Sequence, residues 1–118
     1  MKHQEIEKIY GTQFPHLNYQ QLLDTLDYDP DNGTFVWKHG KSLHTGEIAG
    51  YFRPASPYRY IKIDGRPYKA VDLAYMYMTG YRASKEVLTK DLDPDNLAWD
   101  NLYENSEEGT TWIELLKK

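Results

Sequence analysis

The residues best suited to chemistry are tyrosines and lysines on either side of an Asp-Gly step. Tyr58, Tyr60 and Lys62 precede this step, and Lys69 follows it. Asp-Gly between alternating runs predicts a β-hairpin with a type I′ turn, because that turn needs positive φ at both central residues. In the resulting register, Tyr60 opposes Lys69, and all four side chains share one face. Rings that stack on bases and cations that contact phosphates suit this face to nucleic acid.

Further residues near this hairpin in sequence extend the predicted interface. The full predicted nucleic-acid-binding set is Trp37, Arg53, Tyr58, Arg59, Tyr60, Lys62 and Lys69. The same register pairs Ile63 with Arg66 and Ile61 with Tyr68, so the opposite face carries the isoleucines and can cover a core. A purely structural explanation stays open, because tyrosine is also a good strand former.

Two acidic clusters have the spacing that opens a calcium-binding loop. The aspartates of the first are Asp27, Asp29 and Asp31, and those of the second are Asp91, Asp93 and Asp95. A calcium loop of this type ends on a bidentate glutamate at position twelve, where these clusters have Lys38 and Leu102. We therefore expect solvated loops, with a weak magnesium site at the second cluster as the alternative.

Histidine and cysteine usage gives no metal or catalytic centre. The four histidines are His3, His16, His39 and His44, all within the first 44 residues, and cysteine is absent. The absence of cysteine excludes disulfides and thiolate zinc sites. We expect the histidines to be ordinary surface residues, and we expect no bound metal and no cofactor.

Composition and charge describe one small domain with segregated charge. The chain has 118 residues, of which 40% are hydrophobic and 14% aromatic. Residues 1–33 carry a net −4, residues 34–85 a net +6 and residues 86–118 a net −6. A basic middle between acidic flanks favours an anionic partner on one face. No apolar run reaches membrane-spanning length, and the N-terminal residues lack a secretory signal, so we expect no membrane contact and a cytoplasmic location.

The order of predicted elements indicates an α+β fold with small antiparallel hairpins packed against helices. Residues 1–17 are expected to be an arm or short helix, followed by a helix over 19–26 that begins after Asn18. Strands are predicted over 34–38, 47–52, 58–63 and 66–71, and a helix over 72–79 that ends at Gly80. We expect a polar connection over 81–94, a short helical or turn segment over 95–103, and a last helix over about 110–118.

Several short motifs, in order, resemble phage-type HNH endonucleases of the ββα-metal class. They are Gly33-Thr34-Phe35-Val36-Trp37-Lys38, Ile61-Lys62-Ile63-Asp64-Gly65, Tyr68-Lys69-Ala70, Leu73-Ala74-Tyr75, Thr79-Gly80, Asp93-Pro94 and Trp99-Asp100-Asn101-Leu102. The likeness spans about residues 22–103 and implies an HNH-like ββα core. It also implies a small AP2-like DNA-binding sheet over residues 33–65. On this basis we divide the chain into an N-terminal segment 1–17, an HNH-like domain 18–104 and a C-terminal helical segment 105–118.

The resemblance fails at the positions that would perform catalysis. An HNH nuclease needs a neutral histidine to activate water and a metal held by histidine and carboxylate side chains. Where the family has these groups, this chain has Val71, Leu88 and Thr89, and a further family asparagine falls at Leu97. Among the polar residues of the family's site, this chain keeps Asn101, which lies in the Trp99-Asp100-Asn101-Leu102 motif. Valine and leucine have no lone pair, so we expect no catalytic residue and no enzymatic activity.

These observations lead to three alternative functions. The first is a catalytically inactive HNH-like protein of phage or prophage origin that binds DNA through its basic sheet. The second is an inhibitor of a host enzyme that docks through the acidic segment 86–114 on a basic, nucleic-acid-handling protein. The third is an active nuclease with a rearranged site.

Overall fold

The computed structural model describes residues 13–38 and 45–105, which form an α+β fold with two helices and small antiparallel sheets. The helices are α1 (Tyr19–Thr25) and α2 (Ala70–Thr79), and a 3-10 turn covers Trp99–Asn101. The strands are β1 (Leu26–Asp29), β2 (Thr34–Trp37), β3 (Tyr51–Phe52), β4 (Arg59–Ile63), β5 (Arg66–Lys69), β6 (Val87–Thr89) and β7 (Leu102–Glu104). The predicted α+β class is confirmed, and the predicted helix over 110–118 lies outside the described residues.

The first hairpin, β1 with β2, follows α1 without a loop. The Asn18 side chain accepts a hydrogen bond from the backbone N–H of Gln21 at 2.8 Å, which caps α1 as predicted. The helix ends at Thr25, one residue before the predicted end, and the strand that begins at Leu26 was not predicted. Leu26 and Tyr28 are buried while Asp27 and Asp29 are exposed, so β1 has the two-residue period of a half-buried strand.

The central sheet has the strand order β3-β4-β5, and its hairpin has the predicted register. Ile61 pairs with Tyr68 and Tyr60 with Lys69. Asp64 and Gly65 have φ of 50° and 77°, the two positive values that the predicted turn requires. Ile61 and Ile63 are buried, so this face of β4 covers the core as expected.

The predicted strand over 47–52 is wrong in extent, since β3 has two residues. The backbone N–H of Ala49 donates to the Phe35 carbonyl at 2.8 Å, so this part of the chain first follows β2. Gly50 then adopts φ of 121°, and the chain leaves β2 to pair with β4. The Gly50 conformation therefore divides one predicted strand between two sheets.

Helix α2 begins two residues earlier than predicted, at Ala70 instead of Asp72. Ala70 and Val71 are both buried, and their packing on the core selects helix over continued strand. The predicted stop at Gly80 is confirmed, with φ of 90° and a hydrogen bond from its N–H to the Met76 carbonyl at 2.8 Å.

The segments on either side of the acidic loop pair as strands β6 and β7. The sequence predicts a polar connection over β6 and a helical or turn segment over β7, and both predictions are wrong at these strands. Leu88 pairs with Tyr103. The predicted turn is present just before β7, as the 3-10 turn over Trp99–Asn101. Residues 13–17 form a turn with a bridge between Phe14 and Leu17, and the rest of the predicted N-terminal arm lies outside the described residues.

One continuous core connects these elements. Leu22, Phe35, Ile61, Leu73 and Leu97 come from α1, β2, β4, α2 and the loop before β7, and each is at most 2% exposed. Within residues 13–38 and 45–105, no polar or charged side chain is fully buried. In the same residues, no helix has the length and apolar character that crossing a membrane requires.

Candidate nucleic-acid interface

One face of the central sheet brings together most of the predicted binding residues. Strand alternation places Tyr60 and Lys62 of β4 on the side shared by Lys69 of β5, and Tyr58, just before β4, contacts Lys69 on the same side. Lys62 is exposed, and the other three side chains are half-buried. This surface keeps aromatic rings beside cationic groups, as the sequence predicts.

Two cation–π contacts hold the rings and charges of this face against each other. The Lys69 Nζ lies 4.0 Å from the centroid of the Tyr58 ring, and the Arg53 guanidinium lies 4.2 Å from the centroid of the Tyr60 ring. The Tyr60 hydroxyl is also within 3.0 Å of the Ser56 hydroxyl. These contacts limit ring rotation, so less conformational entropy is lost when a ligand stacks on them.

Tyr51 belongs to the same face but was not predicted there. It pairs with Tyr60 across β3 and β4, and their ring centroids are 6.1 Å apart. The sequence signal for it is weak, because β3 is only two residues long and follows the turn at Gly50. We call the surface formed by Tyr51, Arg53, Tyr58, Tyr60, Lys62 and Lys69 the aromatic–cationic face.

Among the described residues, the cations of this face form no short ion pairs with carboxylates, although Asp72 lies near Lys69. Within residues 13–38 and 45–105, none of Arg53, Lys62 and Lys69 has a carboxylate oxygen within 4.0 Å of its charged nitrogens. A cation without an ion-pair partner attracts an anionic ligand more strongly, because no internal salt bridge must be broken first.

Two residues of the predicted set lie elsewhere. Arg59 is on the opposite side of β4, where its guanidinium forms an ion pair with Asp95 and lies 4.6 Å from the Phe52 ring centroid. Trp37 ends β2 in a different sheet, half-buried against the core. Closeness in sequence placed both residues in the predicted set, but strand alternation and sheet membership separate them from the aromatic–cationic face.

An apolar pocket of about 320 Å³ adjoins the aromatic–cationic face. It is lined by Tyr58, Val71, Leu88, Thr89, Leu92 and Pro94, together with neighbouring residues. The fold therefore brings Val71 of α2 together with Leu88 and Thr89 of β6, the positions at which the HNH resemblance would place catalytic groups. Their aliphatic carbon and single hydroxyl provide neither a general base nor metal ligands.

A second, polar pocket of about 370 Å³ also adjoins this face. We call it the cationic pocket, and its charged lining residues are Lys69, Arg82 and Lys85 with Asp72 and Glu86. Burial raises the pKa of the Asp72 carboxyl, and the charge of Glu86 adds to this rise, while Lys69 and Arg82 oppose it. The lining carries three positive charges against two negative ones.

The two acidic clusters act as hydrogen-bond acceptors within their own loops. Asp29 accepts from the backbone N–H of Asp31 at 2.9 Å and from the Asn32 side chain at 2.8 Å. Asp91 accepts from the side chains of Asn96 and Asn101 at 2.6 and 2.9 Å. These hydrogen bonds lower the pKa of Asp91. They also occupy carboxylate oxygens that could otherwise bind a metal ion.

The described part of the chain contains no assembled metal-binding site. Across residues 13–38 and 45–105, no three His, Asp or Glu side chains are grouped to hold an ion. His16 is exposed, and the other three histidines fall outside these ranges.

No family model matches the chain, and no curated protein or solved structure matches it either.

Proposed function

We propose that this protein binds nucleic acid through the aromatic–cationic face. The observation that carries the proposal is the pairing of each of two tyrosine rings with its own cation, Lys69 over Tyr58 and Arg53 over Tyr60. Base–aromatic stacking contributes roughly 1–3 kcal/mol per base, and nearby cations contribute through the phosphates. The face supplies both contributions on one sheet surface.

The distribution of charge supports an interface confined to this sheet. Residues 34–85 carry a net +6, whereas the segments on either side carry net −4 and −6. The acidic flanks repel a phosphate backbone, so they restrict where a nucleic acid can lie. Arg59 does not add to the interface, because Asp95 already neutralises it.

We further propose that the chain is a catalytically inactive HNH-like protein of phage or prophage origin. The ordered motifs from Gly33 to Leu102 support the likeness, and the apolar lining at Val71, Leu88 and Thr89 supports the loss of catalysis. The proposal predicts no nicking of plasmid DNA with magnesium, manganese or zinc. Cleavage that is abolished by Asn101→Ala or Asp91→Ala would overturn it.

Binding is tested by fluorescence anisotropy with labelled single-stranded and duplex oligonucleotides between 50 and 200 mM salt. Lys62→Gln should weaken binding three- to ten-fold and lower the salt dependence by about one counterion, because it removes one phosphate contact. Lys90→Gln is the matched control, since Lys90 is also an exposed lysine but lies in the acidic loop. Absence of binding by the wild-type protein at 50 mM salt would refute the proposal.

Docking on a host protein is the second candidate, and one observation favours it. Leu92 is 78% exposed between the carboxylates of Asp91 and Asp93, with φ of 67°. An exposed leucine within an acidic loop fits an apolar recess with a basic rim on a nucleic-acid-handling protein. Under this alternative, Leu92→Ser should abolish capture of a host protein that the wild-type chain retains, and a purified partner should show the same difference in titration.

A further inference from the structure

We infer that the ligand of the aromatic–cationic face is a single strand, one of whose bases enters the apolar pocket while an adjacent phosphate lies in the cationic pocket. The inference rests on the proposed nucleic-acid binding and specifies the form of the ligand. It predicts that unpaired DNA or RNA binds more tightly than a duplex of the same length.

The two pockets meet where Lys69 contacts Tyr58. Tyr58 lines the apolar pocket, Lys69 lines the cationic pocket, and the Lys69 Nζ lies 4.0 Å from the centre of the Tyr58 ring. Two residues near the start of α2 repeat this division, since Val71 lines the apolar pocket and Asp72 the cationic one. A nucleotide has the matching arrangement, because one sugar joins a flat, largely apolar ring to an anion.

The chemistry of the apolar pocket favours an unpaired base. Its volume of about 320 Å³ lies at the lower end of the range for small-ligand sites. Most of the lining is aliphatic or aromatic, and Thr89 adds a hydroxyl that can bond to a base edge. A base in a duplex must first be unstacked and unpaired at a cost of a few kcal/mol, a cost that is least for a single strand.

The cationic pocket supplies the complementary charge. Lys69 and Arg82 provide its cationic donors, while the Glu104 carboxylate already accepts hydrogen bonds from Ser84 and Lys85 of the lining. The Arg82 guanidinium lies 4.8 Å from the Phe14 ring centroid, a contact that holds this charge at the pocket. An anion on the Lys69 side of the Tyr58 contact can therefore accept hydrogen bonds from Lys69 and Arg82.

The absence of cysteine from the chain allows a direct test. Thr89→Cys places one thiol in the lining of the apolar pocket, and Met78→Cys places one on an exposed part of α2 seven residues beyond Val71 as the control. A 12-nucleotide single strand of DNA or RNA should slow alkylation at position 89 at least five-fold and leave position 78 unaffected. Alkylation at position 89 should then weaken single-strand binding about ten-fold, whereas alkylation at position 78 should not.

The outcomes separate this inference from the proposed function. If the single strand binds but alkylation at position 89 keeps its rate, the pocket holds no base and the binding face still stands. If a duplex binds as tightly and protects position 89 equally, the single-strand preference is wrong. If no oligonucleotide binds at low salt, both proposals fail. Should Thr89→Cys not fold, Leu92→Cys on the exposed rim of the same pocket gives the same readouts, and the DNA and RNA arms show which sugar is preferred.

Discussion

Arg59 and Asp95 form a two-point ion pair that fastens the acidic loop to the back of the central sheet. The Arg59 Nε lies 2.8 Å from Asp95 Oδ1, and Nη2 lies 3.2 Å from Oδ2. The Arg59 side chain also occupies the space beside Gly50, where an added Cβ would lie 2.6 Å from its Cδ. One side chain thus connects β3, β4 and the loop before β7.

The geometry of this pair predicts a measurable coupling between its two residues. In a double-mutant cycle of Arg59→Gln and Asp95→Asn, the interaction free energy of unfolding should be about 1 kcal/mol, because two-point arginine–carboxylate pairs exceed ordinary surface pairs. Lys38 and Asp27, at 3.7 Å and more exposed, form the control pair. Urea unfolding measures both cycles, and equal couplings would contradict the structural role of the Arg59 pair.

Gly33 is predicted to be the glycine least tolerant of a side chain. A Cβ built there would lie 2.3 Å from the backbone nitrogen of Ala98, and its φ is +70°. Gly33→Ala should therefore lower the free energy of unfolding by more than about 2 kcal/mol, since backbone must move in addition to the conformational strain. Gly46→Ala is the control. Gly46 has φ of +83° with open space around it, so an alanine there would have the conformational strain without a steric clash. Equal losses in chemical denaturation would show that the close approach to Ala98 is unimportant.

Protonation of Glu104 is predicted to lower the stability of the fold in acid. Burial by itself would raise its pKa, but donors from Lys85, Ser84 and Tyr75 at 2.8 to 3.2 Å outweigh burial and hold the pKa below its ordinary value. A lowered folded-state pKa contributes stability above the unfolded-state pKa, and this contribution disappears as the pH falls through the folded-state pKa. Glu104→Gln should therefore destabilise the protein near pH 7, and the difference from wild type should shrink in acid. Denaturation midpoints against pH measure it, with exposed Asp31→Asn as the charge-removal control.

Asp72 is predicted to have the opposite pH dependence. Burial raises its folded-state pKa, so the folded protein holds the proton more tightly than the unfolded chain. Stability therefore falls as the pH rises from the unfolded-state pKa through the folded-state pKa. Asp72→Asn should be more stable than wild type near neutral pH, with the difference shrinking in acid. The same change removes a negative charge from the cationic pocket, so it should also tighten oligonucleotide binding, and weaker binding would contradict the assigned position of the phosphate.

The hairpin of β4 and β5 was predictable from sequence because its information is local. Asp64 and Gly65 specify the turn, the turn fixes the register, and the register decides which side chains share a face. The contributions of Tyr51 and Arg53 were harder to predict. Tyr51 depends on a two-residue strand, and the position of Arg53 over Tyr60 depends on how the following loop folds.

Strand β6 was missed because three residues carry too little pattern to be recognised. Val87–Thr89 becomes a strand only because Leu102–Glu104 lies beside it, and that pairing depends on the conformation of the acidic loop between them. The same pairing brings Leu88 and Thr89 to Val71 of α2 and forms one wall of the apolar pocket. Long-range contacts of this kind override local propensity.

The sequence by itself determined the α+β class, the register of the central hairpin and the side of that hairpin on which tyrosines and lysines meet. These features follow from turn chemistry and from the two-residue period of a strand, both of which act over a few residues. Tertiary structure alone decided that Arg59 pairs with Asp95, that Gly33 packs on Ala98, and that the apolar and cationic pockets meet at Tyr58 and Lys69. Each of these contacts joins residues from separate elements, and such contacts form only when the whole core has packed.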